Sequence, residues 1–168
     1  DFADLYGGKL AATLSRQHPR DLFDIGVLLD RGELDPGLWR TFLIYLTASP
    51  KPAAEMLAPS EPRGFAEVFE RQFRGMTKEP VTVEWLLEAR QRLLEEIRDL
   101  LDESSRTFLL SVEREAPDFN LIGLPQAAEM PGIRRKLHNL EQRTAAKRDA
   151  DYRQLVETLE RIDGQGKA

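Results

Sequence analysis

The feature that most constrains the fold is a helical repeat of apolar residues, which is clearest between residues 82 and 102. Apolar side chains recur there at intervals of three and four residues, and Thr82 can serve as the helix N-cap. The repeat consists of Val83, Leu86, Leu87, Leu93, Leu94, Ile97, Leu100 and Leu101. Strand patterns are weak, and the most strand-like run, 108–112, has flanks that favour helix. We therefore predict an all-α fold, a compact helical bundle of about six to eight helices.

Boundary signals predict where the other helices lie. The second helix has good start and stop signals, because His18 can cap it, Pro19 suits its first position and Gly32 ends it. Helices are predicted over 2–15, 19–31, 36–48, 53–57, 63–74, 82–102, 104–114 and 133–162. The candidate core positions of the first helix are Phe2, Leu5, Leu10 and Leu14. The segment 117–131 is predicted to be irregular with one short helical turn, and the tail 164–168 to be disordered.

Composition excludes several classes of function. The chain has no cysteine, so it forms neither a disulfide nor a thiolate metal site. Its two histidines, His18 and His138, lie far apart in sequence and do not suggest a zinc site. The net charge of -5 argues against non-specific nucleic-acid binding by the whole surface. No apolar run approaches the roughly 20 residues of a membrane span, and no signal-peptide pattern is seen, so we expect a cytoplasmic protein.

Charged residues cluster on the first two predicted helices. Lys9 and Arg16 are seven residues apart and share one helix face, and Asp21 and Asp24 are three apart and share another. Arg20 stands four residues before Asp24 and can pair with it. The short connection predicts antiparallel packing of the two helices, which would bring Lys9 towards the second helix. Convergent charges on adjacent helices are typical of a site that holds a phosphate chain or an attacking hydroxyl.

Each of these charges also has a structural explanation. Asp21 is a favourable first-turn acid, and composition alone favours a solvated lysine at position 9. Asp24 lies between two apolar residues, so its carboxylate needs a partner. It is therefore either half of a buried ion pair with Arg20 or Lys9, or a functional carboxylate that orients the lysine or activates a hydroxyl.

Two glycines interrupt the first predicted helix. Gly7 and Gly8 each cost roughly 1 kcal/mol relative to alanine in a helix. They indicate either close helix packing, which we favour, or the close approach of a ligand beside Lys9. Trp39 and Trp85 occupy helical core spacing, which predicts packing rather than stacking on bases.

The run DLYGGKLAATLSRQHPRDLFDI, residues 4–25, resembles the nucleotidyltransferase toxins of the AbiEii/AbiGii type, which belong to bacterial toxin–antitoxin and phage-defence systems. Lys9 is similar to the lysine of that family's third motif, and Arg20-Asp21-x-x-Asp24 resembles its fourth. The runs FNLIGLP and RRKLHNL, which begin at positions 119 and 134, resemble the family's C-terminal end. The resemblance predicts a helical toxin part over 1–142 and a charged helical extension with a disordered tail over 143–168.

The resemblance implies transfer of a nucleoside monophosphate from a nucleoside triphosphate to an acceptor, which is tRNA for some members. It implies that Lys9 contacts the triphosphate, that Asp24 positions the acceptor or the lysine, and that Asp21 belongs to the same catalytic set. Arg16 and Arg20 are expected to assist substrate binding. Mg²⁺ is the implied metal, because in two-metal phosphoryl transfer the metal ions neutralise negative charge on the attacking and leaving oxygens.

The metal-binding motif of that family is absent from this sequence. The motif is Gly-Ser followed by an Asp-x-Asp pair, but the chain has no Gly-Ser dipeptide, and its one Asp-x-Asp, Asp149-Ala150-Asp151, lies in the charged helical extension. No metal ligand is therefore assigned. We expect an N-terminal nucleotidyltransferase half outside these residues, and we predict that this chain alone is inactive as a transferase. The opening Asp1, within a helical pattern, fits a piece of a longer protein.

A basic stretch near the end has two interpretations. It consists of Arg134, Arg135, Lys136, Arg143, Lys147 and Arg148. It is either a solvated helix face or a phosphate-contacting surface for an RNA acceptor, for which Arg134, Arg135 and Lys136 are the candidate residues.

A second function from a different class stays open. The chain could be a non-catalytic helical interaction module, a truncated or decayed toxin that binds its cognate antitoxin. The transferase interpretation predicts that Lys9, Asp21 and Asp24 converge on an open surface groove. The module interpretation predicts that they pair off inside the bundle.

Overall fold

A computed structural model describes residues 2–32 and 34–165, and within these residues the chain is helical and contains no strand. The helices are α1 (Phe2–Arg16), α2 (Pro19–Asp30), α3 (Pro36–Ala48), α4 (Ala53–Leu57), α5 (Phe65–Gln72), α6 (Val83–Leu100), α7 (Glu103–Glu113), α8 (Pro131–Glu141) and α9 (Ala145–Gln165). The all-α prediction is confirmed, with nine α-helices in the described part, eight of them at least seven residues long. None of the helices described is both long and apolar enough to cross a membrane.

Local signals placed the starts of α2 and α6 correctly. His18 Nδ1 accepts a hydrogen bond from the Arg20 amide, and Pro19 takes the first helical position. Thr82 Oγ1 accepts from the Trp85 amide and caps α6. These caps satisfy amides that have no partner inside the helix, so the nearby sequence is enough to predict them.

Three segments differ from the sequence predictions. The predicted single helix over 133–162 is two helices, because Thr144 Oγ1 accepts from the Lys147 amide and begins α9 afresh. The segment predicted to be irregular holds two 3₁₀ helices, Phe119–Ile122 and Pro125–Glu129. In the tail predicted to be disordered, Gly164 lies within α9, whereas residues 166–168 lie outside the described residues.

Two of the four predicted core positions of α1 are wrong. The buried stripe of α1 passes through Gly7, Leu10, Ala11 and Leu14 and packs against α3. Continued backwards at helical spacing, this stripe passes position 3 rather than Phe2 or Leu5. Phe2 and Leu5 are accordingly 45% and 58% exposed.

The main core extends from α1 to α9. Leu10, Phe42 and Phe108 are fully buried in it, and Leu155 and Leu159 of α9 join the same cluster. α9 packs on α4 and α7. A smaller cluster lies between α2, α5 and α6 and consists of Leu22, Phe65, Phe69, Phe73 and Leu86. α2 is therefore held from two sides, by α1 and by α6.

Candidate functional site

Helices α1 and α2 bring Lys9 and Asp24 together. The Lys9 ammonium forms an ion pair with Asp24 Oδ2, and the two side chains are 33% and 32% exposed. Lys9 Nζ also lies 5.8 Å from the centroid of the Tyr6 ring. Of the two partners considered for Asp24, the structure has Lys9, because the Arg20 guanidinium is directed to Met76 Sδ at 3.6 Å. The pair lies at the edge of the bundle, where water reaches both charges.

A second ion pair joins the ends of the same two helices. Arg16 Nη2 lies 3.1 Å from both carboxylate oxygens of Asp21 and donates its hydrogen bond to Oδ1. Asp21 Oδ2 is buried and has no hydrogen-bond partner in the described part of the chain. Arg16 is largely exposed. Lys9, Asp21 and Asp24 thus each pair with a charge on the facing helix. Solvent reaches Lys9 and Asp24, whereas Asp21 is more buried and joins a different pair from the other two.

The turn between α1 and α2 is held in an unusual conformation. Gln17 has a φ of 51°, in the left-handed region that a side chain disfavours. Its side chain donates to the Ser60 carbonyl at 2.8 Å and accepts from Arg90 Nε. Arg90 also donates to the Pro59 carbonyl at 2.8 Å, and burial lowers the pKa of its guanidinium. These hydrogen bonds fix the turn that sets α1 against α2.

Of the two glycines of α1, Gly7 serves close helix packing, whereas Gly8 has room for a methyl group. A Cβ atom on Gly7 would lie 2.9 Å from Thr41 Cγ2 and 3.2 Å from Tyr45 Cδ2. A Cβ atom on Gly8 would meet the Tyr45 ring at 3.4 Å. Trp39 is also a packing residue, because it is buried and donates to Ser105 Oγ at 3.1 Å.

One contact near Lys9 had no signal in the sequence. The Tyr45 hydroxyl donates to Asp4 Oδ1 at 2.7 Å, which ties the first turn of α1 to α3. The hydrogen bond to Asp4, with burial and the negative charge added to it, raises the pKa of Tyr45. The two residues are 41 positions apart, so helical spacing could not have paired them.

The predicted RNA-contacting residues of α8 differ in their surroundings. Arg134 forms an ion pair with Glu129, and Arg135 is exposed and makes no ion pair with any described residue. The expectation that Lys136 lies on an open basic face is wrong. Lys136 is 5% exposed, and its ammonium donates to the Ser49 carbonyl at 2.8 Å. It occupies the buried stripe of α8, and burial lowers its pKa.

The remaining basic residues of that stretch form ion pairs with acidic side chains. Asp151 is buried and pairs with Lys147 and, at 2.6 Å, with Arg143. Arg148 pairs with Glu115 at 2.8 Å. Glu113 lies in the same buried cluster, 4.0 Å from Arg143, and burial raises its pKa. These contacts hold α9 against α7.

The residues described do not form a binding site for Mg²⁺. No group of three or more histidine, aspartate or glutamate side chains comes together in the described ranges in a way that could hold a metal ion. The one Asp-x-Asp sequence of the chain lies in α9, where Asp151 forms ion pairs with Arg143 and Lys147. The site built by α1 and α2 can therefore neutralise or orient a substrate, but it offers one cation and one carboxylate rather than a metal cage.

The chain matches a known protein family. A family model described as nucleotidyl transferase AbiEii toxin, type IV TA system, matches residues 1–138. No curated protein and no solved structure matches the chain. The match covers both helices that carry the Lys9–Asp24 pair and ends within α8. The chain therefore belongs to the AbiEii nucleotidyltransferase toxin family, whose members are toxins of a type IV toxin–antitoxin system.

Proposed function

We propose that this chain is the helical part of a nucleotidyltransferase toxin, in which Lys9 contacts the triphosphate and Asp24 is an active-site carboxylate. The observation that carries the proposal is the Lys9–Asp24 ion pair, which joins α1 to α2 while both side chains stay about one-third exposed. A purely structural pair gains little from such an exposed position. A substrate can reach the exposed Lys9–Asp24 pair.

The pair has a direct chemical use in nucleotidyl transfer. An acceptor hydroxyl attacks the α-phosphorus of the triphosphate, and the bond to pyrophosphate breaks. Without substrate, Lys9 and Asp24 neutralise each other. A triphosphate that draws the Lys9 ammonium to its oxygens leaves Asp24 free to accept a hydrogen bond from the acceptor hydroxyl. Arg16 and Arg20, both exposed at the same end of α2, add positive charge for the substrate, and Asp21 orients Arg16.

The metal-binding carboxylates come, in this proposal, from an N-terminal half that is not among these 168 residues. Phe2 and Leu5 support this, because they are large exposed apolar side chains on α1 near Lys9, as expected of a surface that another part of the protein covers. The 168-residue chain, given Mg²⁺, labelled nucleoside triphosphates and RNA, should then show no incorporation. Incorporation that is lost in Lys9→Ala would contradict this.

Further partners follow from the same proposal. The toxin–antitoxin system of the family implies a cognate antitoxin, and a cytoplasmic location suits both. For an RNA acceptor such as tRNA, Arg134 and Arg135 are the exposed phosphate-contacting candidates on α8. RNA retention should fall steeply with salt and weaken in the Arg134→Ala/Arg135→Ala double variant. Retention that is unchanged in that variant would exclude this surface.

The triphosphate contact can be tested on the chain itself. Tripolyphosphate should shift the amide resonances around Lys9 and Asp24 in an NMR titration, and Lys9→Ala should weaken its binding about tenfold or more, the effect of losing a charge-assisted contact. Lys78→Ala is the matched control, since it removes an exposed lysine from the connection between α5 and α6. Equal weakening by the two substitutions would mean that tripolyphosphate responds only to net charge.

The second candidate, a non-catalytic interaction module, is favoured by one observation. Lys9 and Asp21 each have a charged partner on the facing helix, as expected if they only fasten α1 to α2. In that case tripolyphosphate would not bind, and Lys9→Ala would lower only the free energy of unfolding. The antitoxin would then bind Lys9→Ala and the unmodified chain equally well.

A further inference from the structure

The first half of α1 has little to hold it in a helix by itself. Gly7 and Gly8 stand in its middle, and each lowers helix stability by roughly 1 kcal/mol relative to alanine. Phe2 and Leu5, which precede them, are exposed and contribute little burial. Helix ends with few buried contacts are the first to open. Something outside α1 must keep this half ordered.

Tyr45 of α3 supplies that support at two points. Its ring lies against Gly7 and Gly8, close enough that a Cβ atom at either glycine would meet ring carbons at 3.2 and 3.4 Å. Its hydroxyl donates to Asp4 Oδ1 at 2.7 Å, on the far side of the glycines. A hydrogen bond to a charged acceptor is stronger than one between neutral groups. Tyr45 thus holds α1 both at its weakest point and on the N-terminal side of that point.

The Lys9 side chain depends on the segment that is clamped. Lys9 directly follows Gly8, and its ammonium lies over the Tyr6 ring, 5.8 Å from the centroid. The Tyr6 ring in turn contacts Phe2, with ring centroids 4.6 Å apart. If residues 2–8 left the helix, Lys9 would lose its contact with the Tyr6 ring and would lie at the frayed N-terminal end of the remaining helix. Its ammonium would then face Asp24 only part of the time.

We propose that Tyr45 is a positioning residue for this site: it clamps the glycine-interrupted half of α1 through its ring and its bond to Asp4, and so keeps the Lys9 ammonium opposite Asp24. The positioning role rests on the proposed function, because it assumes that Lys9 contacts the triphosphate. The clamp itself, which is the set of contacts between Tyr45 and α1, does not depend on the proposed function.

The test is Tyr45→Phe, which keeps the ring on the glycines and removes only the hydroxyl. Amide hydrogen exchange should become about tenfold faster at residues 6–10, whose amides bond to carbonyls at the start of α1, and stay unchanged in α6. The apparent Kd for tripolyphosphate should rise by up to the same factor, since it scales inversely with the ordered fraction. Asp4→Ala should match Tyr45→Phe, whereas Asp4→Asn, which keeps an acceptor, should recover part of the loss.

Tyr152→Phe is the matched control, because it also removes a tyrosine hydroxyl that is hydrogen-bonded, in this case to Arg114. Unchanged exchange at residues 6–10 in Tyr45→Phe, or faster exchange throughout the molecule, would overturn the clamp. Faster exchange with unchanged tripolyphosphate affinity, where Lys9→Ala does weaken binding, would overturn the positioning role alone. Binding that neither substitution affects would instead refute the proposed role of Lys9.

Discussion

At the scale of single residues, the two adjacent glycines of α1 have different surroundings. Gly7 faces α3, where Thr41 and Tyr45 leave no room for a methyl group, whereas Gly8 has ordinary contact distances to the Tyr45 ring. Sequence spacing predicted that the pair serves packing, but it could not say which glycine is essential, because that depends on the side chains of another helix.

We expect Gly7→Ala and Gly8→Ala to have opposite effects on stability. The methyl group of Gly7→Ala overpacks the α1–α3 contact, so the free energy of unfolding should fall by about 1–2 kcal/mol even after the gain in helix propensity. Gly8→Ala should leave it unchanged or raise it by up to about 1 kcal/mol. Urea unfolding of the two variants measures both. A Gly7→Ala variant as stable as Gly8→Ala would show that the contact relaxes freely.

Glu113 should make part of the stability dependent on pH. Burial raises its pKa above the usual 4.5, so the folded chain binds a proton more tightly than the unfolded chain. The resulting stability is fully present below the unfolded pKa and is lost as the pH rises through the folded pKa. Glu113→Gln lacks this contribution. The free energy of unfolding of the unmodified chain, relative to Glu113→Gln, should therefore decrease as the pH rises from about 4; a constant difference would contradict the raised pKa.

At the scale of elements, most of the helices and the caps of α2 and α6 could be predicted from nearby residues, and the contacts between helices could not. The start of α2 at Pro19 and that of α6 after Thr82 follow from local signals. The burial of Lys136 does not, because it depends on the Ser49 carbonyl at the end of α3. For the candidate site, spacing predicted that Lys9 approaches α2. The choice of Lys9 over Arg20 as the partner of Asp24 required the positions of the helices.

The turn between α1 and α2 provides a test at this scale. Arg90→Ala removes the donor to Gln17, whose backbone is strained, and to the Pro59 carbonyl, so the free energy of unfolding should fall by about 2–3 kcal/mol. Arg92→Ala on the same helix removes only an ion pair with Asp30 near the surface and should cost at most about 1 kcal/mol. Thermal and urea unfolding distinguish the two. Similar losses would mean that Arg90 contributes no more than a surface charge.

At the scale of the whole molecule, the family match ends earlier in the chain than the hydrophobic core does. The match ends at residue 138, but α9 inserts Leu155, Leu159 and Ile162 into the main core. We propose that residues 143–163, which belong to the part that the sequence suggested as an extension, are needed for the fold of the described part. The sequence did not predict that α9 belongs to the core, because α9 has many charged residues and few apolar residues at helical spacing.

Truncation tests that proposal. Each of the three buried apolar side chains contributes about 1.5–3 kcal/mol, and together they approach the total stability of a domain of this size. A chain that ends at residue 142 should therefore lose its cooperative thermal transition, followed by circular dichroism. A chain that ends at Asp163 should keep it. A cooperative transition in the shorter chain would show that α9 is an independent addition.

We propose that these 168 residues work together with metal-binding carboxylates that lie outside them. The most direct measurement is the intact mass of the protein purified from its native host. We expect a mass above 19.2 kDa, with additional N-terminal residues that include an Asp-x-Asp pair. A mass of 19.2 kDa would contradict the claim, and the helical interaction module would then be the better account of this chain.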